Sequence, residues 1–182
     1  MCVNSSPTSP VARPDQARGS TSALAVLTAA GIPHEVLTYT VDHVRPGQGY
    51  GPAVAQALGI DPAQLFKTLV LQGPAGQVGT AVVPVTGGLD LKASAQAFDW
   101  KKASLAPPDL AERRTGSVVG GISPLGHRHR SPVVVDSSAL ELAELDEPLV
   151  VSAGQRGLSV RLRPEDLIRV AEARVAALRA LG

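Results

Sequence analysis

The chain has 182 residues, which is most simply one domain, large enough to bury a real core. Apolar residues make up 44% and aromatic ones only 3%, so the core must be built from Val, Leu and Ala, and no aromatic platform for stacking several bases is available. A net charge of +1 from 17 basic and 16 acidic side chains excludes a global nucleic-acid footprint; any such contact has to use a local patch.

Residues 1–19 hold Ser, Thr, Pro, Arg and Asp without periodicity and read as a disordered leader, followed by a single domain over residues 20–182. Ser20, Thr21 or Ser22 can cap a helix running through Ala30 and stopped by Gly31. Residues 36–40 follow as a strand. A Gly/Pro-rich loop from Arg45 to Pro52 then leads into a short helix from Ala53 to Leu58, ended by Gly59. Asp61-Pro62-Ala63-Gln64 has the form of a helix start, with Asp as cap, Pro in the first position and Gln reaching back. That turn is brief, because Phe66 to Leu71 is β-rich. Gly73-Pro74-Ala75-Gly76 joins it to a second strand, Gln77 to Val85, as a hairpin.

The segment from Asp90 to Phe98 is helical, and Pro107-Pro108-Asp109 opens a further helix that Gly116 ends. Strands follow at 133–135, 149–152 and 158–162. Pro164-Glu165-Asp166 begins a terminal helix whose packing face is Leu167, Ile168, Val170, Val175 and Leu178. Hairpins and interspersed short helices, without strict βαβ alternation, argue an α+β domain with a mixed, mostly antiparallel sheet.

Cys2 is the chain's only cysteine and lies in the leader, which removes an internal disulfide, a Cys-rich zinc site and a buried Cys nucleophile. The four histidines, His34, His43, His127 and His129, have no metal-ligand spacing, and no serine sits in a Gly-x-Ser-x-Gly elbow. No metal and no cofactor are expected. No run approaches the ~18 continuous apolar residues of a membrane span, and no secretory h-region opens the chain, so no membrane partner and a cytoplasmic location are expected.

Two features carry chemistry. Lys67 interrupts an apolar strand between Phe66 and Thr68, where an ammonium must either snorkel or face a polar cavity. From Arg114 to Gly126 the chain packs four glycines and a proline around the apolar pair Val118-Val119. Gly120-Gly121 can take positive φ and admits another backbone or a ligand to contact distance. Such a run either turns a buried strand or exposes several N–H groups in one concavity, suited to an oxyanion.

Read together, Leu65-Phe66-Lys67-Thr68-Leu69-Val70, the Arg114–Gly126 segment and Ser152-Ala153-Gly154-Gln155-Arg156-Gly157-Leu158 resemble the YbaK/EbsC family of aminoacyl-tRNA deacylases, related to the editing domain of bacterial prolyl-tRNA synthetases. The likeness covers roughly residues 22 to 180 and lies nearest the free-standing branch that clears cysteine from mischarged proline tRNA. It implies a sheet curled partly into a barrel. It makes Lys67 the pocket lysine required for deacylation, and it turns the amides near Gly120 and Gly121 toward the scissile carbonyl. By the same resemblance, Tyr39 positions substrate, although an ordinary strand tyrosine would look the same. Thr115 and Ser123 are nearby hydroxyls that either contact substrate or form turns.

Ser152 and Ser159 are the remaining candidate substrate contacts. Position 159 carries the pocket carboxylate in the family and a serine here, which supplies hydrogen bonds but no countercharge. His127-Arg128-His129-Arg130 is a basic loop, either solvated or bound to phosphate. Arg113, Arg114, Arg128, Arg130 and Arg156 are the candidate tRNA contacts. The expected partner is the acceptor end of a mischarged proline tRNA, with prolyl-tRNA synthetase as a further candidate and a monomer or weak dimer as the assembly. Removal of cysteine by its own thiol is the leading expectation. Water attack on an alanyl or other small aminoacyl ester, and an inactive tRNA-binding module, are the alternatives.

Overall fold

The computed structural model describes residues 20–41, 44 and 47–180. The leader, Cys2, Asp42 and His43 lie outside the described residues. The chain runs α1 (Ser22–Ala29), β1 (Glu35–Thr38), α2 (Tyr50–Leu58), β2 (Phe66–Gln72), β3 (Val78–Pro84), α3 (Leu91–Ala97), β4 (Ser104–Leu105) and α4 (Pro108–Thr115). It continues through β5 (Val133–Asp136), α5 (Ser138–Glu144), β6 (Leu149–Gln155), β7 (Leu158–Leu162), α6 (Pro164–Val170) and β8 (Arg174–Ala176). Short 3-10 turns at Pro62–Gln64 and Pro74–Gly76 flank β2.

Local signals set most of these boundaries. Thr21 caps α1 by accepting the Leu24 N–H, and Asp90 caps α3 by accepting from Lys92 and Ala93. Gly59 and Gly116 end α2 and α4 in the left-handed conformation. Asp61 caps its turn through the Ala63 N–H, but Gln64 does not reach back; its amide donates to Glu147 instead.

The strands form two sheets, ordered β1-β7-β6 and β4-β2-β3-β5-β8. Pairing is antiparallel except for β3–β5 and β5–β8, so the α+β, mostly antiparallel reading holds. The expected barrel does not form: between the two sheets lies one isolated bridge, Leu65 to Val150, and the ladders remain separate. Period-two alternation divides the larger sheet. Val82, Val133 and Val135 face a core shared with Leu149, Val151, Val160, Leu27 and Leu167, while Ala81, Val83 and Val134 face a second layer with Phe98 and Leu178.

The terminal helix is shorter than its apolar pattern predicts. It stops at Val170, Glu172 turns the chain at φ 50°, and Arg174–Ala176 pairs in parallel with β5. Val175 therefore sits in the sheet opposite Val135 and Leu178 packs in the second layer, and the two do not form a helix face. The pairing is anchored by Asp136, which is 1% exposed; its carboxylate accepts from Leu178 N, Arg179 N, Ser138 N and Ser138 Oγ.

For the site, the short β4 matters most. It pairs only with Leu71 and Gln72, so the Phe66–Leu69 half of β2 has no partner from β4 on that edge. This half borders the seam between the sheets, close to the Leu65–Val150 bridge.

Candidate active site

A cavity of about 510 Å³ occupies that seam. Phe66, Lys67 and Thr68 of β2 form one wall, Ser152 of β6 and Ser159 of β7 another, and Gly120 and Ile122 of the glycine loop close a third side. Tyr39, just past β1, and the first turn of α2 complete it. Of the residues marked by sequence, Lys67, Gly120, Tyr39, Ser152 and Ser159 thus converge on one pocket.

Burial depletes hydration around Lys67 and lowers its pKa from the ordinary lysine range. Its Nζ donates to the Gly87 carbonyl at 2.7 Å, which fixes the ammonium without neutralising it. Tyr39 is pushed up to about 12, first by burial, then by its hydrogen bond with and charge repulsion from Tyr50, against smaller opposing effects from Gly157 and Ser159. It is a neutral hydroxyl at working pH. Ser159 is 1% exposed and stands opposite Ser152 in the β6–β7 ladder. Ser152 Oγ donates to the Gly121 carbonyl at 2.7 Å, tying the glycine loop to β6.

The two glycines have different reasons to be glycine. Gly120 has φ +88°, a conformation side chains rarely adopt. A Cβ on Gly121 would stand 2.7 Å from the Arg156 nitrogen and 2.8 Å from the Gln155 carbonyl carbon, both backbone atoms. The Gly121 N–H closes a turn onto the Val118 carbonyl at 2.9 Å and is not free for substrate. Gly120 is the member of the pair that lines the cavity.

Thr115 and Ser123 are buried and do not line the pocket. Thr115 Oγ1 donates to Ala111 O and accepts from Ser117 N, and Ser123 Oγ accepts from Leu125 N, which are turn-forming contacts. His127 donates Nε2–H to the Ser123 carbonyl at 2.6 Å, and its burial lowers its pKa, so it acts as a neutral brace of the loop.

The arginines fall outside the cavity. Arg113 and Arg128 are exposed, Arg130 pairs with Glu172 at 3.0 Å, and Arg114 reaches the Arg130 carbonyl at 3.5 Å. Arg156 turns to the glycine loop, donating from Nε and Nη2 to the Val119 carbonyl at 2.9 and 2.6 Å.

Sequence reasoning missed Tyr50, Gly51 and Thr68. Gly51 lies so close to Val85 that a Cβ would fall 2.5 Å from its Cγ1, which lets the first turn of α2 approach the residue that follows β3. Thr68 Oγ1 is buried in the pocket wall with no hydrogen-bond partner among the described residues. Its place beside Lys67 was the only signal for it.

The aminoacyl-tRNA editing domain model matches residues 51–170, a stretch that contains Lys67, the glycine loop, Ser152 and Ser159. The chain belongs to this family and is an aminoacyl-tRNA deacylase. It is 35% identical over 116 residues to "Putative Cys-tRNA(Pro)/Cys-tRNA(Cys) deacylase EbsC" of Enterococcus faecalis (strain ATCC 700802 / V583), covering 64% of this chain and 68% of that one. A second relative, "Uncharacterized protein YwhH" of Bacillus subtilis (strain 168), is 28% identical over 113 residues, covering 62% and 69%. In fold the chain is similar to a solved structure described as "a putative trans-editing enzyme for prolyl tRNA synthetase", with a TM-score of 0.75 at 24% identity, covering 90% of this chain and 100% of the other.

Proposed function

We propose that the chain removes cysteine from mischarged proline tRNA in trans, using the thiol of the attached cysteine as nucleophile. The supporting observation is a pocket that has, among the described residues, a cation and a backbone donor but no activated nucleophile. Ser152 is committed to Gly121, Ser159 neighbours Tyr39, and among the described residues no histidine or cysteine lines the cavity. The substrate thiol attacks its own ester carbonyl. A carbon–sulfur bond forms, the bond to the ribose oxygen breaks, and the thiol proton ends on that oxygen. The products are a cyclic thioester and intact tRNA. Intramolecular attack supplies a large effective molarity, so the protein need only orient the ester and stabilise the oxyanion with Lys67 and Gly120. Arg113, Arg128 and Arg130 offer phosphate contacts outside the pocket. The exposed Arg130–Glu172 pair is weak enough to exchange one anion for another.

A second reading has its own observation. The unpartnered Thr68 hydroxyl could orient a water for attack on an alanyl or other small ester, and Ser159 leaves the pocket without the family's carboxylate. Measuring cleavage of proline tRNA charged with cysteine, S-methylcysteine, serine or alanine separates the two. The thiol route requires loss of the cysteine ester and survival of the S-methylcysteine and serine esters. Comparable cleavage of serine or alanine would assign the attack to water.

A further inference from the structure

The glycine loop contains a β-turn over Val118–Gly121, closed by the Gly121 N–H on the Val118 carbonyl. Its third residue, Gly120, has φ +88°, which is the type II form; a type I turn needs negative φ there. The two forms differ chiefly in the orientation of the central peptide, here the one joining Val119 to Gly120. Because that unit is planar and trans, its carbonyl and its N–H sit on opposite edges. Turning it over would exchange the directions of the Val119 carbonyl and the Gly120 N–H.

Two side chains from outside the turn hold this region. Arg156, between β6 and β7, places a two-pronged contact on the Val119 carbonyl, and Glu112 of α4 accepts the Val119 N–H at 2.9 Å. Neither lines the pocket, whereas Gly120 does. With the carbonyl drawn to Arg156, the Gly120 N–H lies on the far edge of the same plane. It has no acceptor among the described residues. A guanidinium on the carbonyl also polarises the peptide and strengthens its N–H as a donor.

We infer that Arg156 is a positioning residue, which locks the Val119–Gly120 peptide in the orientation that presents the Gly120 N–H to the substrate carbonyl, with Glu112 as the second anchor. The kinetic consequence rests on the deacylase reading of this pocket; the peptide geometry does not. The role differs from a phosphate contact, and the two make opposite predictions.

The test compares wild type with Arg156→Ala in two measurements: the Gly120 amide resonance by NMR, and initial rates on charged tRNA and on the same amino acid esterified to adenosine. The expected result is a shifted, exchange-broadened Gly120 amide and a kcat lower by about tenfold or more, the scale of weakening one oxyanion donor. The loss should be equal on both substrates, with KM and the salt dependence of tRNA cleavage unchanged, and added guanidinium ion should restore part of the rate. An unmoved Gly120 amide would overturn the inference, as would a loss confined to KM and the salt slope on tRNA. If Arg156→Ala does not fold, Arg156→Lys keeps the charge and stem but loses the fork, and the same readings apply. If wild type cleaves no ester at all, the proposed function fails, while the amide resonance still decides the geometry.

Discussion

Lys67 and Tyr39 share a pocket, and the same loss of hydration favours the uncharged form of each. The lysine is drawn down from its ordinary range, while the tyrosine rises to about 12. Of these two, the lysine is the one that changes charge first as the pH rises. On the role proposed for Lys67, deacylation should fall at a pH below the ordinary lysine value of 10.5, as the ammonium is lost. Initial rates from about pH 6 to 10, corrected for spontaneous hydrolysis, would locate the limb. Lys67→Arg should lack the limb whatever its rate, because a guanidinium stays charged, and Lys67→Ala should lose ~100-fold or more at neutral pH. A limb persisting in Lys67→Arg would assign it to another group. Stability runs the opposite way: between the folded and unfolded lysine values the unfolded chain binds more protons, so raising the pH through that window stabilises the fold. Lys67 was legible through its match to the family motif, since the apolar strand around it alone left a solvated, snorkelling lysine as the commoner outcome. Thr68 was not, since whether its hydroxyl finds a partner depends on the unpaired β2 edge beside the short β4.

The glycine loop is fastened to β6, α4 and the β6–β7 turn, and its two glycines should respond differently to a methyl group. At Gly121 the Cβ would meet backbone of the β6–β7 turn at 2.7 Å, where nothing flexible can yield. At Gly120 it would meet the Arg156 guanidinium at 3.2 Å, a side chain that can shift, leaving mainly the strain of φ +88°. Gly120→Ala should therefore cost about 1–2 kcal/mol. Gly121→Ala should cost about as much as a severe overpacking or more, up to ~3 kcal/mol. Thermal melting checks the order, and equal transitions would mean that the β6–β7 turn moves aside. The sequence supplied the loop but joined two roles that the structure separates: one glycine for a turn conformation, the other for a close backbone approach. Elements governed by local chemistry, such as the Asp90 cap, the Gly116 stop and the β2–β3 hairpin, were readable in advance. The stretch at 174–176 was not. Its residues suit a helix as well as a strand, and pairing with β5 decides between them.

At the scale of the whole molecule, β8 sits at the edge of the larger sheet and lies far in sequence from the β5 strand it covers. What holds it is the Asp136 carboxylate, buried at the end of β5. It joins two consecutive amides of the C-terminal segment to the start of α5, with the Arg179 guanidinium at 3.2 Å. This anchor closes the layer containing Phe98 and Leu178, on the face of the sheet away from the core shared with β6 and β7. Asp136 does not line the candidate pocket, so its contribution should be to stability alone. Asp136→Ala would leave two or more buried N–H groups without an acceptor and remove the charge that Arg179 faces. The expected cost is about 3 kcal/mol or more. Hydrogen exchange should show the loss first at the β8 amides, because the β3–β5 ladder remains intact on the other side of β5. The remaining folded enzyme should deacylate with unchanged kcat and KM when assayed well below its melting transition. A melting temperature matching wild type would show that β8 is held by its ladder without the carboxylate. A fall in kcat at constant fold would show that the larger sheet transmits strain from β5 through β3 to the Lys67 end of β2.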